Sequence, residues 1–422
     1  MNNLLYDIND RVPFPKIVAY SFQQLLAIIT ATVLIANVCG TPISSCLFGA
    51  CIATILYQIL TRFKSPMFIS SCGATCGAVI SALAISGNTN YFPVVIGGAV
   101  IFLIYAFFAL LIKLRGVEII NKIFPAVIVG PITMVIGLNL ATFIPTYVNL
   151  GSDYQTISVL VGIFTMIVVA ISSHYFKGFW KTIPFLIGLL AGYLVCIILT
   201  VCNVAPLVDF TLFKDVQLFK MPEWTFDKWD LNINFSTVIQ VVVLFAPVAL
   251  CSLMEHYSDH KVLSNIIGTD LTKTPGLHRT LLGDGFASLM GTVICGLPNT
   301  SYGESIATTG FSRVASTRVI TLAALMVGFL SFLHPVQVFI LSIPSCVFGG
   351  CAMILYGFIA ASGLKVLYQS KADLENNKNL LIVAVILTVG VSGIFLFHSS
   401  FTGVSLAMVL GVGLNLILRN KN

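Results

Sequence analysis

Charged side chains are scarce in this sequence. It has 22 Lys and Arg and 16 Asp and Glu among 422 residues, or 9%, where a soluble domain carries about a quarter. The shortage excludes a water-soluble globular enzyme. The formal net charge of +6 is spread over connecting segments rather than gathered on one face, so a nucleic-acid surface is excluded as well. A secretory leader is not expected either. The first residues are polar through Arg11 and carry Asp7 and Asp10, unlike a basic start followed by an apolar core and a cleavage site, so the first apolar run is expected to be a retained helix. Metal-ligand spacing is absent too. Most of the eleven cysteines sit singly inside apolar runs and read as small packing residues in a reducing cell. Neither a metal nor a cofactor is expected.

Apolar sequence is what remains. Hydrophobic residues make up 57% and the mean hydropathy is +0.99, the profile of a polytopic, all-α membrane protein. Runs near the ~20 residues that cross a bilayer fall at about 17–38, 43–61, 67–86, 92–113, 119–145, 155–175, 182–203, 235–258, 277–296, 298–312, 316–333, 338–364, 379–397 and 401–418. Fourteen transmembrane segments put both termini on one side. With both in the cytoplasm, only Lys214, Lys220 and Lys228 of the 22 Lys and Arg fall outside. That bias orients the chain in a cytoplasmic (inner) membrane, surrounded by lipid.

Those three lysines share one long outer loop, Asn203 to Asn234, which divides the runs into two groups of seven. An odd number per group makes the second start from the opposite side, the signature of an inverted repeat. Trp224 and Trp229 in the loop are expected to rest at the membrane interface rather than on a substrate.

Two runs are interrupted. Gly296-Leu297-Pro298-Asn299-Thr300-Ser301-Tyr302-Gly303-Glu304-Ser305 combines a proline, two glycines and small hydroxyl residues at membrane depth, where a regular helix is disfavoured. Ser65-Pro66-Met67-Phe68-Ile69-Ser70-Ser71-Cys72-Gly73-Ala74-Thr75-Cys76-Gly77 is its counterpart in the first half. Irregular backbone at this depth is tolerated where it lines a cavity. Paired interruptions point to a transport site in which half-helix N-termini offer free N–H groups and a positive dipole end to a ligand with carbonyl oxygens.

Four carboxylates lie in or at the edges of the runs: Glu255, Asp259, Asp284 and Glu304. Each is a candidate proton carrier. Glu255 and Asp259, four residues apart, share a helix face and repel when both are ionised, which favours proton uptake. Asp259 is equally readable as an anchor at the cytoplasmic end of its helix. Asp284, between Gly283 and Gly285, fits a structural hydrogen-bonding role better than substrate contact, with the glycines letting neighbouring backbone approach. Gln24 either makes a cross-helix hydrogen bond or sits near Glu255, since the first and eighth runs are repeat mates; Gln23 reads as a cross-helix bond. His256 reads as a packing histidine.

These residues resemble a family. Glu255-His256, Pro275-Gly276-Leu277-His278-Arg279, Gly283-Asp284-Gly285, Pro298 to Glu304 and Ser312-Arg313-Val314 are similar to motifs of the nucleobase/ascorbate transporter family, and within it of the bacterial uracil permeases. In the first half, Gln23-Gln24-Leu25-Leu26-Ala27 and Phe124 to Pro131 followed by Met134 to Gly137 resemble its first and fifth spans. The resemblance implies fourteen helices in two inverted seven-helix repeats, short antiparallel β-strands in segments 3 and 10, and a homodimer. It implies a core domain at 1–113 and 235–334, a gate domain at 114–203 and 335–422, and the outer loop at 204–234.

It further implies proton-coupled uptake of a nucleobase. Glu255 and Glu304 would accept from the N–H edge of the base, and backbone N–H groups at Gly303 and Gly73 would meet its carbonyls, a set that complements uracil. Cys72, Tyr302 and Gln24 complete the implied binding set. Proton coupling falls to Glu255, Asp259 and Glu304, and Asn299 and Asp284 are structural polar groups.

The sequence departs from the family pattern at three positions. Gln24 stands for a histidine, removing a titratable group. Gly73 stands for the aromatic residue of uracil permeases, so one wall of the pocket loses a ring and opens to a larger base. Asp259 stands where a uracil permease can have histidine and the xanthine branch tends to have aspartate. Two alternatives therefore accompany uracil import: a symporter for xanthine or uric acid, and a uniporter or anion carrier of the same fold. An intramembrane enzyme would need a nucleophile with a base, or a metal set, and neither is visible.

Overall fold

The computed structural model describes residues 4–8, 10–118, 125–148, 153–394 and 403–418. The start of the fifth apolar run, with Lys122 and Phe124, and the terminal Arg419 and Lys421 lie outside them. In chain order the elements are α1 (Phe14–Cys39), α2 (Ile43–Leu60), β1 (Ile69–Ser71), α3 (Cys76–Ile85), α4 (Phe92–Arg115), α5 (Ala126–Ala141), α6 (Gln155–Tyr175), α7 (Pro184–Val201), α8 (Phe235–Ile267), α9 (Leu277–Cys295), β2 (Asn299–Ser301), α10 (Gly303–Ser312), α11 (Thr317–Leu330), α12 (Ser345–Gln369), α13 (Asn377–Val391) and α14 (Gly403–Ile417).

Each apolar run read from the sequence overlaps one of these helices. By length and composition, α1, α2, α4, α5 continued to Tyr147, α6, α7, α8 and α12 suffice to cross a membrane. The others are shorter or, like α9 with His278, Arg279 and Asp284, are too polar to qualify by hydropathy. The chain is a multi-pass membrane protein.

Proline sets many of the boundaries, because its missing N–H is an orphan at a helix start in any case. Pro13, Pro42, Pro125 and Pro344 precede α1, α2, α5 and α12, and Pro184 opens α7. Pro344 also splits the run at 338–364: a short helix, His334–Leu341, stops before it and α12 begins after it. Gly296 ends α9 at φ 69°, a left-handed conformation that turns the chain into β2. Between α8 and α9, the Thr272 hydroxyl and N–H both donate to Asp270, which holds that carboxyl below its usual range.

The helices pack in two sets. In the first, α9 lies against α2 and α4, α4 against α8, and α2 against α11, which in turn packs on α1. In the second, α5 packs against α12, α13 and α14, α12 against α6, and α6 against α7. The sets touch mainly where α8 meets α14 and where α1 meets α7 and α12.

The long loop at 204–234 is stitched to the first set. Ser45 Oγ donates to the Glu223 carbonyl, Thr225 N to Ile294 O at 3.4 Å, and Asn90 exchanges bonds with Asp230. Trp224 stacks on Phe226 and meets Phe48 edge-on, while Trp229 lies against Phe92. Both tryptophans therefore spend their rings on packing within the loop and against α2 and α4.

Candidate functional site

β1 and β2 pair antiparallel, with Ile69 opposite Ser301, Ser70 opposite Thr300 and Ser71 opposite Asn299. The ladder extends by one bond at each end: Cys72 N donates to Pro298 O at 2.8 Å and Tyr302 N to Phe68 O at 3.1 Å. Two strands of three residues would be marginal alone; here buried hydroxyls of the surrounding helices hold them. Thr54 on α2 brackets Ile69, donating to its carbonyl at 2.8 Å and accepting from its N–H at 3.0 Å. Thr32 on α1 bonds Ser70 at 2.7 Å. On the other side Ser252 on α8 bonds Thr300 at 3.4 Å, and Ser288 on α9 donates to the Asn299 carbonyl.

Each strand ends where a helical turn begins. Cys72 and Tyr302, in extended conformations, precede a 3₁₀ turn at Gly73–Thr75 and the first turn of α10 at Gly303. Neither residue caps its helix with a side chain. The N–H groups of Gly73 and Gly303 have no carbonyl partner among the described residues, leaving two sets of helix-start donors beside one buried ladder. The surroundings differ. A Cβ at Gly303 would meet nothing within 4 Å, whereas one at Gly73 would lie 3.6 Å from the δ-methyls of both Ile35 and Ile359.

The acids converge on this place. Glu304 is half-buried in the first turn of α10, and Glu255 is exposed on a helix, α8, that packs against α10. Glu255 lies within Coulombic reach of Glu304 and Asp284, and Asp259 within reach of all three. Asp259 sits inside α8 and accepts from the Ser301 hydroxyl at 2.9 Å.

Asp284 is completely buried and accepts from Thr300 Oγ1 at 3.1 Å, so α9 grips β2 through a carboxylate. The glycines beside it admit rings rather than backbone alone: a Cβ at Gly283 would come 2.9 Å from the Tyr57 ring, and one at Gly285 2.8 Å from Tyr105 Cβ. Asn299 is fully buried and donates from Nδ2 to Gly49 O at 3.5 Å.

Gln24, on α1, donates to Thr309 Oγ1 at 3.2 Å and Ser305 O at 3.4 Å. Its amide is thus a cross-helix link to α10, one residue from Glu304. The amide oxygen of Gln24, buried, has no hydrogen-bond partner among the described residues.

Sequence reasoning passed over a second buried cluster. His256 Nδ1 lies 2.9 Å from Asp284 Oδ2, and the His256 and His260 rings are 4.1 Å apart. His260 Nδ1 is 2.8 Å from the His256 carbonyl. A carbonyl only accepts, so Nδ1 carries the proton and neutral Nε2 accepts from Tyr57 OH at 2.7 Å; Ser65 then donates to Tyr57 at 2.8 Å. The i, i+4 spacing of the two histidines was a usable signal. Nothing in the sequence marks Tyr57.

Known proteins resemble this chain along nearly its whole length. A model described as the permease family matches residues 15–399. The uracil permease of Bacillus caldolyticus is 34% identical, with 100% of this chain and 96% of that protein aligned. The uracil permease of Bacillus subtilis (strain 168) is also 34% identical, over 96% and 94%. Among solved structures, the transmembrane domain of a cyanobacterial bicarbonate transporter, BicA, superposes with a TM-score of 0.60 at 14% identity, covering 96% of this chain and 98% of that one. The last likeness is one of fold.

Proposed function

The chain belongs to the nucleobase/ascorbate transporter family, a family of permeases rather than enzymes, and from that premise we propose that it imports uracil together with protons. The observation that carries the reading is the pair of helix-start N–H groups at Gly73 and Gly303, set beside the carboxylates of Glu304 and Glu255. Uracil presents an imide N–H between two carbonyls. A carboxylate accepts the N–H while backbone donors meet the carbonyls, with a charge-assisted bond at the centre. The aligned relatives named as uracil permeases favour this base over a purine.

Coupling follows from the grouping of Glu255, Asp259 and Glu304. Carboxylates that cannot all be ionised together take up a proton. One taken from the outside accompanies the base and leaves with it inside. Gln24 cannot titrate and serves by holding α10 in place. Cys72 and Tyr302 set the extended backbone ahead of each half-helix, and Asn299 and Asp284 fix the strands.

The proposal includes fourteen spans in two inverted repeats. It is supported by helix contacts that recur when each helix is exchanged for the one seven places away: α4 on α9 becomes α11 on α2, α4 on α8 becomes α11 on α1, α6 on α12 becomes α13 on α5, and α6 on α7 becomes α13 on α14. We assign the first packed set, 1–113 and 235–334, as the core and the second, 114–203 and 335–422, as the gate. Transport is movement of one against the other, in a homodimer of the inner membrane with both termini in the cytoplasm. Lipid meets exposed apolar side chains such as Leu103, Phe107 and Leu114 of α4.

The test is uptake of labelled uracil into proteoliposomes with and without an inward proton gradient, competed by xanthine. Uptake of xanthine alone would move the substrate to the purine branch, and indifference to the gradient would make the protein a uniporter.

A further inference from the structure

Gly73 and Gly303 hold equivalent places, each directly after a strand and at the start of a helical turn. Around Gly303 the space is open, and the next residue is Glu304. Around Gly73 it is closed by Ile35 of α1 and Ile359 of α12, whose δ-methyls would both lie in van der Waals contact with a Cβ at that position; the next residue is Ala74. One end of the site is therefore polar and open, and the other is bordered by aliphatic methyl groups.

The two isoleucines come from different packed sets. Ile35 is buried within the set that carries both strands, and half-buried Ile359 reaches over from the other. We propose that the Ile35–Ile359 pair is the size filter of the base pocket: it packs against the C5–C6 side of a single-ring base whose imide edge faces Glu304, and it leaves no room for the second ring of a purine. This deepens the uracil reading and rests on it. It also explains how a site with glycine at position 73 can still be narrow. Methyl groups from two helices wall the space beside position 73, and because Ile359 belongs to the second set, the filter closes only when the two sets meet.

Shape discrimination by apolar walls is worth about tenfold or more per removed or added group. Ile359→Ala removes three carbons from the wall without touching a polar group. The experiment measures thermal stabilisation of the purified protein by uracil, thymine and xanthine, and inhibition of labelled uracil uptake by the same bases, for wild type, Ile359→Ala, Ile359→Val and Ile35→Val. The expected result is that Ile359→Ala lowers the xanthine concentration needed for half-inhibition about tenfold or more, with the valine variants between, while uracil is still carried. An unchanged ratio of xanthine to uracil inhibition in all three variants overturns the filter. If Ile359→Ala cannot be purified folded, the two valine variants decide by the same ratio. A wild type that binds xanthine and not uracil overturns the uracil reading and the filter with it, whereas an unchanged ratio in a protein whose wild type carries uracil overturns the filter alone.

Discussion

Ser70 and Thr300 face each other across a ladder of three residue pairs, each held from behind by a hydroxyl on a helix of its own half: Thr32 of α1 for Ser70 and Ser252 of α8 for Thr300. The strands between the half-helices are thus carried by side-chain bonds to α1, α2, α8 and α9 as much as by each other. Loss of one such buried bond leaves its partner unsatisfied, at about 1–3 kcal/mol. Thr32→Val should therefore lower the thermal midpoint by a few degrees and weaken uracil binding. A variant with unaltered binding would detach the strand clamp from the site.

Removing the Asp284 carboxylate strands Thr300 and exposes His256 to an empty partner. Asp284→Ala is expected to destabilise the protein by about 2–4 kcal/mol, within the range for breaking a buried charged hydrogen bond. Asp284→Asn, which keeps an acceptor for Thr300, should lose less. Equal losses in the two, read by thermal unfolding in detergent, would argue that the charge rather than the bond to β2 is what the fold needs.

Glu255 and Glu304 separate coupling from binding. Glu255→Gln should abolish accumulation driven by a proton gradient. Glu304→Ala, which deletes the acceptor at the start of α10, should abolish uracil binding altogether, measured as loss of thermal stabilisation by the base. Wild-type transport in either variant removes that residue from the site.

Tyr57 joins α2 to His260 and Ser65 through bonds of 2.7 and 2.8 Å. Tyr57→Phe should cost about 1–3 kcal/mol of stability and leave the preference among bases unchanged, since none of its partners lies in the strand ladder. A changed xanthine-to-uracil ratio in this variant would bring the histidine cluster into the site.

Much of this was legible in the residues themselves. The two interrupted stretches were found from Pro298, Gly303, Ser65 and Gly73 because helix breakers at membrane depth leave few options, and the four acids were found because a carboxylate in an apolar run is conspicuous. The apolar runs gave the helices only approximate ends, which the structure sets at prolines such as Pro13 and Pro42, and at Pro344 an unbroken apolar run concealed a break. What stayed hidden were contacts made by ordinary residues. Thr32, Thr54, Ser252 and Ser288 are small hydroxyls of a kind found in any membrane helix, and only the fold shows that all four point at one ladder. Ile35 and Ile359 lie more than 300 positions apart and give no sign in sequence that they meet beside Gly73. The glycines around Asp284 were read as room for backbone, but the residues that fill the room are Tyr57 and Tyr105, whose distance along the chain hid them.

The central claim, a base carried with protons past Glu255 and Glu304, is tested most directly by counting labelled uracil inside proteoliposomes as the external pH is lowered at fixed internal pH. With protons as proposed co-substrates, the account predicts accumulation above the external concentration that grows with the inward gradient, collapses when a protonophore is added and is absent in Glu255→Gln. Uracil that only equilibrates, to the same level at every external pH and with or without the protonophore, would contradict it.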